Sequence, residues 1–599
     1  MKKIYKTMFF AFAVAAFGIN IYAQNMNEDF RRAAPAPLAP RAFNIVKPFE
    51  TKLSNGLKII IFEDRRLPIT SFRLAFRTGD IDDPQNQRGL TAAVTHLLRE
   101  GTATRTSQQL AEDIEKLGAT LTASSSSDNT IVAASSLSAY SSNVLKLMAE
   151  MTLTPSFPEN EVALYKQNTI KNLQFQRSQP DFLAGEQTAK ILFGAHPYAV
   201  VSPSPADVEK ITREQLAAFH KEIFVPNNAT LIVVGDVNRA DLLKEVETLF
   251  GKWKNKKFAA REFPALPTRA ERTLTIVDRP GSAQSNIVLA NLGIERSNPD
   301  YFPVLLMNQV LGAGASSRLF MNLREAKGYT YGAYSSLDAR RQAGAFEATA
   351  EVRTPVTGDS LKEFFYELER IRNEQVSAKE LTDAKNFLTG VFPLRAETQE
   401  GLTNLIVAQQ LYNLPDDYLQ TYRDKVNAVT AADIERVANK YVTPEKMALI
   451  IVGDAGEILK QVKPYSTKIE VFDTEGKAVN INSYNASSAA PTVNVTGRWN
   501  LSLDVQGQKI PVTLDLEQDG DKVTGTLDSM LGKGEIPSGK VSGNKLISTA
   551  KTQIQGQDVE LNLNGTIEGD TMKGIVNASI PGFPPVNFEG SRDKATAKP

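Results

Sequence analysis

From Phe49 onward, short apolar runs alternate with polar turns in a pattern that names its own elements. TKLSNGLKIIIFED places two strand-like runs around Asn55-Gly56, a dipeptide that favours tight hairpin turns. SFRLAFRTG reads as a further strand. GLTAAVTHLLREGT (Gly89–Thr102) reads as a helix with Leu90, Val94, Leu97 and Leu98 on one apolar face. Residues 211–236, ITREQLAAFHKEIFVPNNATLIVVGD, run helix, proline turn, buried strand and Gly-Asp turn. Residues 429–454, VTAADIERVANKYVTPEKMALIIVGD, repeat that order without a gap. Thr212 matches Thr430, Pro226 matches Pro444 and Gly235-Asp236 matches Gly453-Asp454, each pair 218 positions apart.

The repeat extends upstream at lower fidelity. SFRLAFRTGDIDDP parallels SNIVLANLGIERSNPD. SQQLAEDIEKLGATLTASSSSDNTIVAASS parallels the helix and strands from Ser317 to Glu351. The fold class is therefore α+β: two like α/β-sandwich halves forming a clam-shell with a cavity between them. The first half spans 45–251 and the second 273–473. A charged, proline-bearing linker joins them at 252–272. A polar linker follows at 474–492. From Val493 to residue 593, strand-length alternation broken by turns such as Asp519-Gly520 and Glu568-Gly569-Asp570 predicts a small antiparallel barrel or sandwich. That module has no histidine and no clustered acids, and reads as a docking or stability domain.

Composition narrows the chemistry. The 599 residues are 42% hydrophobic and 23% charged, with 68 basic and 68 acidic side chains. A neutral balance gives no electrostatic footprint for nucleic acid. Lys2, Lys3 and Lys6 precede an apolar run from Met8 to about Ile19, and Tyr22-Ala23-Gln24 ends it. Residues 1–23 are expected to be a secretory signal peptide and 24–44, rich in Pro and Ala, a tether. No other segment is long and apolar enough to span a bilayer. The expected location of the mature chain is the periplasm. The chain has no cysteine, hence no disulfide and no thiolate ligand. Histidines number three, His96, His196 and His220, which leaves little for a zinc site to use.

Several stretches together resemble the insulinase/pitrilysin-type metallopeptidases, in their bacterial two-domain, processing-peptidase-like form. They are Asn55-Gly56-Leu57, the Gly89-Leu90 helix start, Glu100-Gly101-Thr102, His196-Pro197-Tyr198, Gly235-Asp236 and the doubled architecture. In that family a helix carries H-x-x-E-H, two zinc-binding histidines and a general-base glutamate, and a distant glutamate completes the site. The resemblance places the first ligand at Ala92, the base at Thr95, the second ligand at His96 and the distal ligand near Asn172. Three of those four positions have lost their chemistry, so no metal is expected in this chain. The resemblance also assigns Arg324 and Tyr331, behind the lead-in Ser317-Arg318-Leu319-Phe320, to substrate and oxyanion contact. Read without it, Arg324 pairs with Glu325 and Tyr331 is a strand aromatic. His196 and His220 read as structural. Gly312-x-Gly314 lacks the lysine of a phosphate loop and reads as a tight turn.

Three functions are compatible with these residues. The first is the zinc-less subunit of a two-chain peptidase, with zinc in a paralogous partner and a peptide as substrate. The second is a peptide-binding or scaffold protein that pairs an extended peptide with an exposed strand edge such as Thr120–Thr130. The third is an autonomous metallopeptidase with unorthodox ligands.

Overall fold

The apolar stretch Ile59–Ile61 and the valine-rich Leu231–Val234 become the middle of a first sheet because both strands are buried on both faces. This computed structural model describes residues 45–256, 261–486, 493–505, 508–530, 532–554, 557–579 and 585–593. The expected signal peptide and tether lie outside the described residues. Strands β1 (Phe49–Lys52), β2 (Lys58–Glu63), β3 (Ile69–Phe76), β4 (Thr120–Ser125), β5 (Thr130–Leu137) and β6 (Ala229–Gly235) order as β1-β2-β6-β3-β5-β4. Only β2 and β6 run parallel. Helices α1 (Leu90–Leu97), α2 (Glu159–Gln176), α3 (Pro180–Phe193) and α4 (Arg213–Ile223) belong to this half.

The second half repeats the plan. Strands β7 (Thr273–Asp278), β8 (Gln284–Leu292), β9 (Thr330–Ala339), β10 (Gly344–Arg353), β11 (Ala448–Gly453), β12 (Ile469–Phe472) and β13 (Ala478–Val479) order as β13-β12-β7-β11-β8-β10-β9. β11 runs parallel to β7, as β6 does to β2. Two further helices matter here, α5 (Gln399–Leu411) and α6 (Ala431–Tyr441). Thr212 and Thr430 each open a helix as N-cap. Their hydroxyls accept from the backbone N–H three residues on, at 3.3 and 3.1 Å, and the Gln215 and Asp433 side chains bond back to the threonine N–H.

The halves exchange helices. α3, from the first half, lies on β8 and β11 of the second, while α5 lies on β3 and β6 of the first. Leu183, Leu192 and Phe193 share a buried cluster with Val288, Ile450 and Val452. The central strands thus need apolar side chains on both faces, which is why they read as continuous apolar runs. Buried Arg73 on β3 meets Glu400 of α5 at 3.0 Å across the same seam.

The stretch read as a polar linker from 474 contributes to the fold. β13 pairs antiparallel with β12, and the Tyr484 hydroxyl donates to Asp278 at 2.6 Å. A two-residue edge strand leaves no apolar period for composition to reveal. Strands β14 (Gly497–Val505), β15 (Gln508–Asp519), β16 (Lys522–Ser529), β17 (Gly532–Ser542), β18 (Lys545–Ile554), β19 (Gln557–Glu568), β20 (Thr571–Ala578) and β21 (Val586–Arg592) close into a barrel. Its interior is filled by side chains around Trp499, whose indole N–H donates to the Val495 carbonyl at 2.9 Å. The barrel is itself doubled: DGDKVTGTLD (Asp519–Asp528) returns as EGDTMKGIVN (Glu568–Asn577), 49 positions later. The two copies show the same alternation of buried and exposed positions.

The Gly-Asp turn has different physics in each half. Gly235 sits at φ +146°, and a Cβ there would fall 2.2 Å from the Ile69 carbonyl oxygen; at Gly453 the nearest atom would be the Ser285 hydroxyl at 3.0 Å. Gly235→Ala is therefore expected to destabilise the first half by about 2 kcal/mol, and Gly453→Ala by less than about 1 kcal/mol. Amide hydrogen exchange along β6 and β11 in the two variants checks this.

Candidate functional site

α1 begins where Asp83 holds it. The Asp83 carboxylate accepts from the backbone N–H of Gly89 (2.6 Å), Leu90 (3.2 Å) and Thr91 (2.8 Å), and from the Thr91 hydroxyl (2.6 Å). These are donors that a helix start leaves without intrahelical partners. Leu90, Val94, Leu97 and Leu98 are buried as their spacing predicts. The opposite flank carries the positions the family resemblance singles out. Ala92 is half-buried, Thr95 is buried, and His96 reaches solvent.

The His96 ring lies 5.1 Å from the ring of Tyr165 on α2. Partial enclosure presses the His96 pKa below its ordinary value, against the pull of Glu100. Asn172 is exposed on α2. It lies about two turns beyond Tyr165 and on the same helical face. So α1 and α2 bring His96 against Tyr165, and the four positions offer a methyl, a hydroxyl, one imidazole and an amide. Zinc sites need three or four nitrogen, thiolate or carboxylate ligands, and these residues do not fit the ion. Among the described residues, no group of three or more His, Asp or Glu could hold a metal ion.

Asp80, not anticipated from sequence, lies on the segment packed against α1, near enough to Tyr165 to act on its phenol. Its carboxyl is half-buried and accepts from the Ser125 hydroxyl at 3.3 Å, at the end of β4. Burial, with Asp83 nearby, pushes its pKa up to about 7. Burial likewise holds the Tyr165 phenol up at about 12. The signal that could have found Asp80 is the acid-rich DIDD immediately before the helix-opening glycine-leucine.

His196 and His220 are built into the structure. His196 is buried, and its Nδ1 accepts from the Tyr198 N–H at 3.2 Å. The Tyr198 hydroxyl donates to Asp128, which also accepts from the Arg341 N–H of the second half at 2.8 Å. His220 Nε2 lies 2.8 Å from the Thr152 carbonyl oxygen, and burial lowers its pKa to about 4.

In the second half, the turn Arg318–Phe320 runs into a π-helix, Met321–Ala326, an uncommon winding often found at functional sites. Arg318 is buried and grips Glu380 with two hydrogen bonds at 2.7 and 3.2 Å. Arg324 is different: its side chain is exposed, stands 4.8 Å over the Phe320 ring, and reaches Glu325 only at 3.6 Å. Tyr331 opens β9, the outer strand of its sheet, and is 89% exposed. Tyr334 folds across Gly332, where a Cβ would lie 2.6 Å from its ring, and packs 5.7 Å from Phe320. Arg324, Phe320 and Tyr334 thus form one surface beside Tyr331. Among the described residues, no hydrogen bond, ion pair or ring contact joins Arg324 or Tyr331 to His96.

Family models match both halves: the insulinase model, peptidase family M16, over residues 58–199, and the M16 peptidase inactive-domain model over residues 210–388. An uncharacterised zinc protease of Bacillus subtilis is 22% identical over 418 residues, covering 67% of this chain and 98% of that protein. One of Mycobacterium bovis is 23% identical, covering 71% and 96%. A solved M16 peptidase inactive domain from Pseudomonas fluorescens superposes with TM-score 0.64 at 29% identity, covering 68% of this chain and 98% of that one. A protease from Helicobacter pylori superposes with TM-score 0.64 at 20% identity, covering 68% and 100%. With its two halves, its helix-exchanged seam and both family models in register, this chain belongs to the insulinase family of peptidases, M16.

Proposed function

We propose that this chain is the zinc-less subunit of a two-chain peptidase that acts on peptides outside the cytoplasm. A paralogous subunit with an intact H-x-x-E-H helix holds the zinc and the general base. This chain contributes half of the substrate chamber and two donors. The observation that carries the reading is the contrast between the two halves. α1 keeps one imidazole and none of the other ligands, whereas Arg324 and Tyr331 stand exposed beside an unpaired strand edge. A guanidinium presents a fixed fork of N–H donors to peptide carbonyls. A phenol donates to the oxyanion that builds up on the scissile carbonyl. The lysine-flanked apolar leader supports export to the periplasm.

The test is reconstitution. The chain is purified alone and together with a zinc-bearing relative encoded beside it, and cleavage of a fluorogenic peptide set is followed. The chain alone is expected to be inert and the pair active, with Arg324→Ala and Tyr331→Phe each impairing the pair. Partnered cleavage indifferent to both substitutions overturns the assignment. Stoichiometric zinc in the isolated chain with chelator-sensitive proteolysis overturns it too, in favour of the autonomous enzyme.

A second reading, a non-catalytic peptide-binding scaffold, draws on β4. This edge strand, TLTASS, has one side unpaired among the described residues and is rich in short hydroxyl side chains. Peptide affinity without turnover in every subunit combination selects it.

A further inference from the structure

We infer that the cleft between α1, α2 and the end of β4 is a receptor for a primary ammonium group, held by the Asp80 carboxylate with the Thr95 hydroxyl and the His96 and Tyr165 rings around it. The inference stands apart from the roles of Arg324 and Tyr331.

Three acids follow β3, and two of them are accounted for. Asp83 caps α1. Asp82 accepts from the Gly79 N–H at 3.1 Å, faces Arg341 at 3.5 Å, and its carbonyl accepts from Arg261. The Asp80 carboxylate has one hydrogen bond, from Ser125, and among the described residues no Lys, Arg or His pairs with it. A half-buried carboxylate without a cation is costly, and proteins pair such groups.

The second observation is independent. Thr95 is 2% exposed, and its hydroxyl has no hydrogen-bond partner among the described residues. It lies one turn beyond Thr91, whose hydroxyl bonds the Gly79 carbonyl and Asp83. Residues four apart share a helix flank, so Thr95 lies on the flank of Thr91, and α1 packs against the Asp80–Asp82 segment and β4. Buried hydroxyls are rarely left without a partner.

The remaining walls are also short of cations. From α1 come His96, whose partial enclosure favours the neutral ring, with Arg99 and Glu100 beyond it. From α2 come Tyr165 and Thr169. From β4 comes Ser125, and from the loop Asp82 and Asp83. A carboxylate, an unengaged hydroxyl and an imidazole lone pair offer acceptors and want donors. An ammonium has three donors and no acceptor.

The ammonium can come from a peptide N-terminus or a lysine side chain, and pH separates them. Binding needs ionised Asp80, so it rises as pH passes about 7. A peptide α-amine loses its own proton near pH 8, a lysine near pH 10.4. An N-terminus therefore gives an affinity maximum between about pH 7 and 8, and a lysine a plateau that persists to about pH 10.

The test uses the full chain alone and three octapeptides of Ala, Ser and Leu with fluorescein at the C-terminus. One has a free N-terminus, one an acetylated N-terminus, and one an acetylated N-terminus with a single lysine. Fluorescence anisotropy at pH 7.5 is expected to show about tenfold or greater loss of affinity on acetylation, restored by lysine if that is the natural source. Asp80→Asn is expected to lower affinity for the ammonium-bearing peptide to that of the fully acetylated one. Equal binding of all three peptides, or no effect of Asp80→Asn, overturns the inference. Should Asp80→Asn not fold, the wild-type pH profile decides: a Kd flat between pH 6 and 8 overturns it equally.

Discussion

Arg324→Ala is expected to lower kcat/KM of the paired peptidase by about tenfold to a hundredfold, the range for losing a charge-assisted bond to substrate carbonyls. The expectation follows from what Arg324 is not doing in the chain alone. Its neighbour Arg318 is buried and gripped by Glu380, so its loss would be felt in folding. Arg324 has one exposed ion pair at 3.6 Å and a ring beneath it, contacts worth little to stability. A surface role predicts a variant that folds and works normally. The proposed role predicts one that folds normally and loses kcat/KM. Lysine at this position keeps the charge but not the fork, so Arg324→Lys is expected to recover only part of the rate. Tyr331→Phe removes one hydroxyl from a fully solvated ring, and its loss is expected in kcat with KM nearly unchanged, because the oxyanion exists only on the reaction path. Steady-state kinetics of the reconstituted pair, with melts of each variant, separate these outcomes. Unchanged kcat/KM in both variants would leave the scaffold reading in place.

The doubling of the shell was legible because it is written in residues that geometry requires. A threonine cap, a proline turn and a Gly-Asp turn have few substitutes, so they persist at one spacing in α4–β6 and α6–β11 while the rest drifts. The strand order was not legible. β6 inserts beside β2 and β3, and α3 and α5 cross to the opposite sheet, through contacts between residues about ninety or more positions apart. The barrel's own duplication was equally present in the sequence, as the paired D/E-G-D turns, but its copies share small and polar residues that mark strand corners rather than a core. At the site, the vacated zinc helix could be seen because the family resemblance names the positions it lost. Asp80 is written in the sequence as part of DIDD, but which of the three acids lacks a counter-charge is decided by packing.

The way α1 is held leads to the second large effect. Asp83→Ala is expected to destabilise the start of this helix by about 3 kcal/mol. The carboxylate accepts four hydrogen bonds, and Gly89, Leu90 and Thr91, which donate them, are all buried, so alanine leaves N–H groups that water reaches poorly. Each such bond to a charged acceptor contributes about 1.5–3 kcal/mol. The sum is reduced because burial holds the Asp83 carboxyl above its ordinary range, a desolvation cost that alanine removes. Asp83→Asn keeps one acceptor oxygen in place and is expected to lose about half as much. Because the chain has several cores, a single melting temperature would blur the result. Amide hydrogen exchange resolves it: protection along Leu90–Leu97 is expected to fall by about a hundredfold in Asp83→Ala while the barrel strands keep theirs. Loss of protection across the whole first half would instead mean that the loop before α1, and not the helix cap alone, depends on this carboxylate. Unchanged protection would mean that the apolar face of Leu90, Val94 and Leu97 positions α1 unaided, and the Asp80 cleft would then owe its shape to packing.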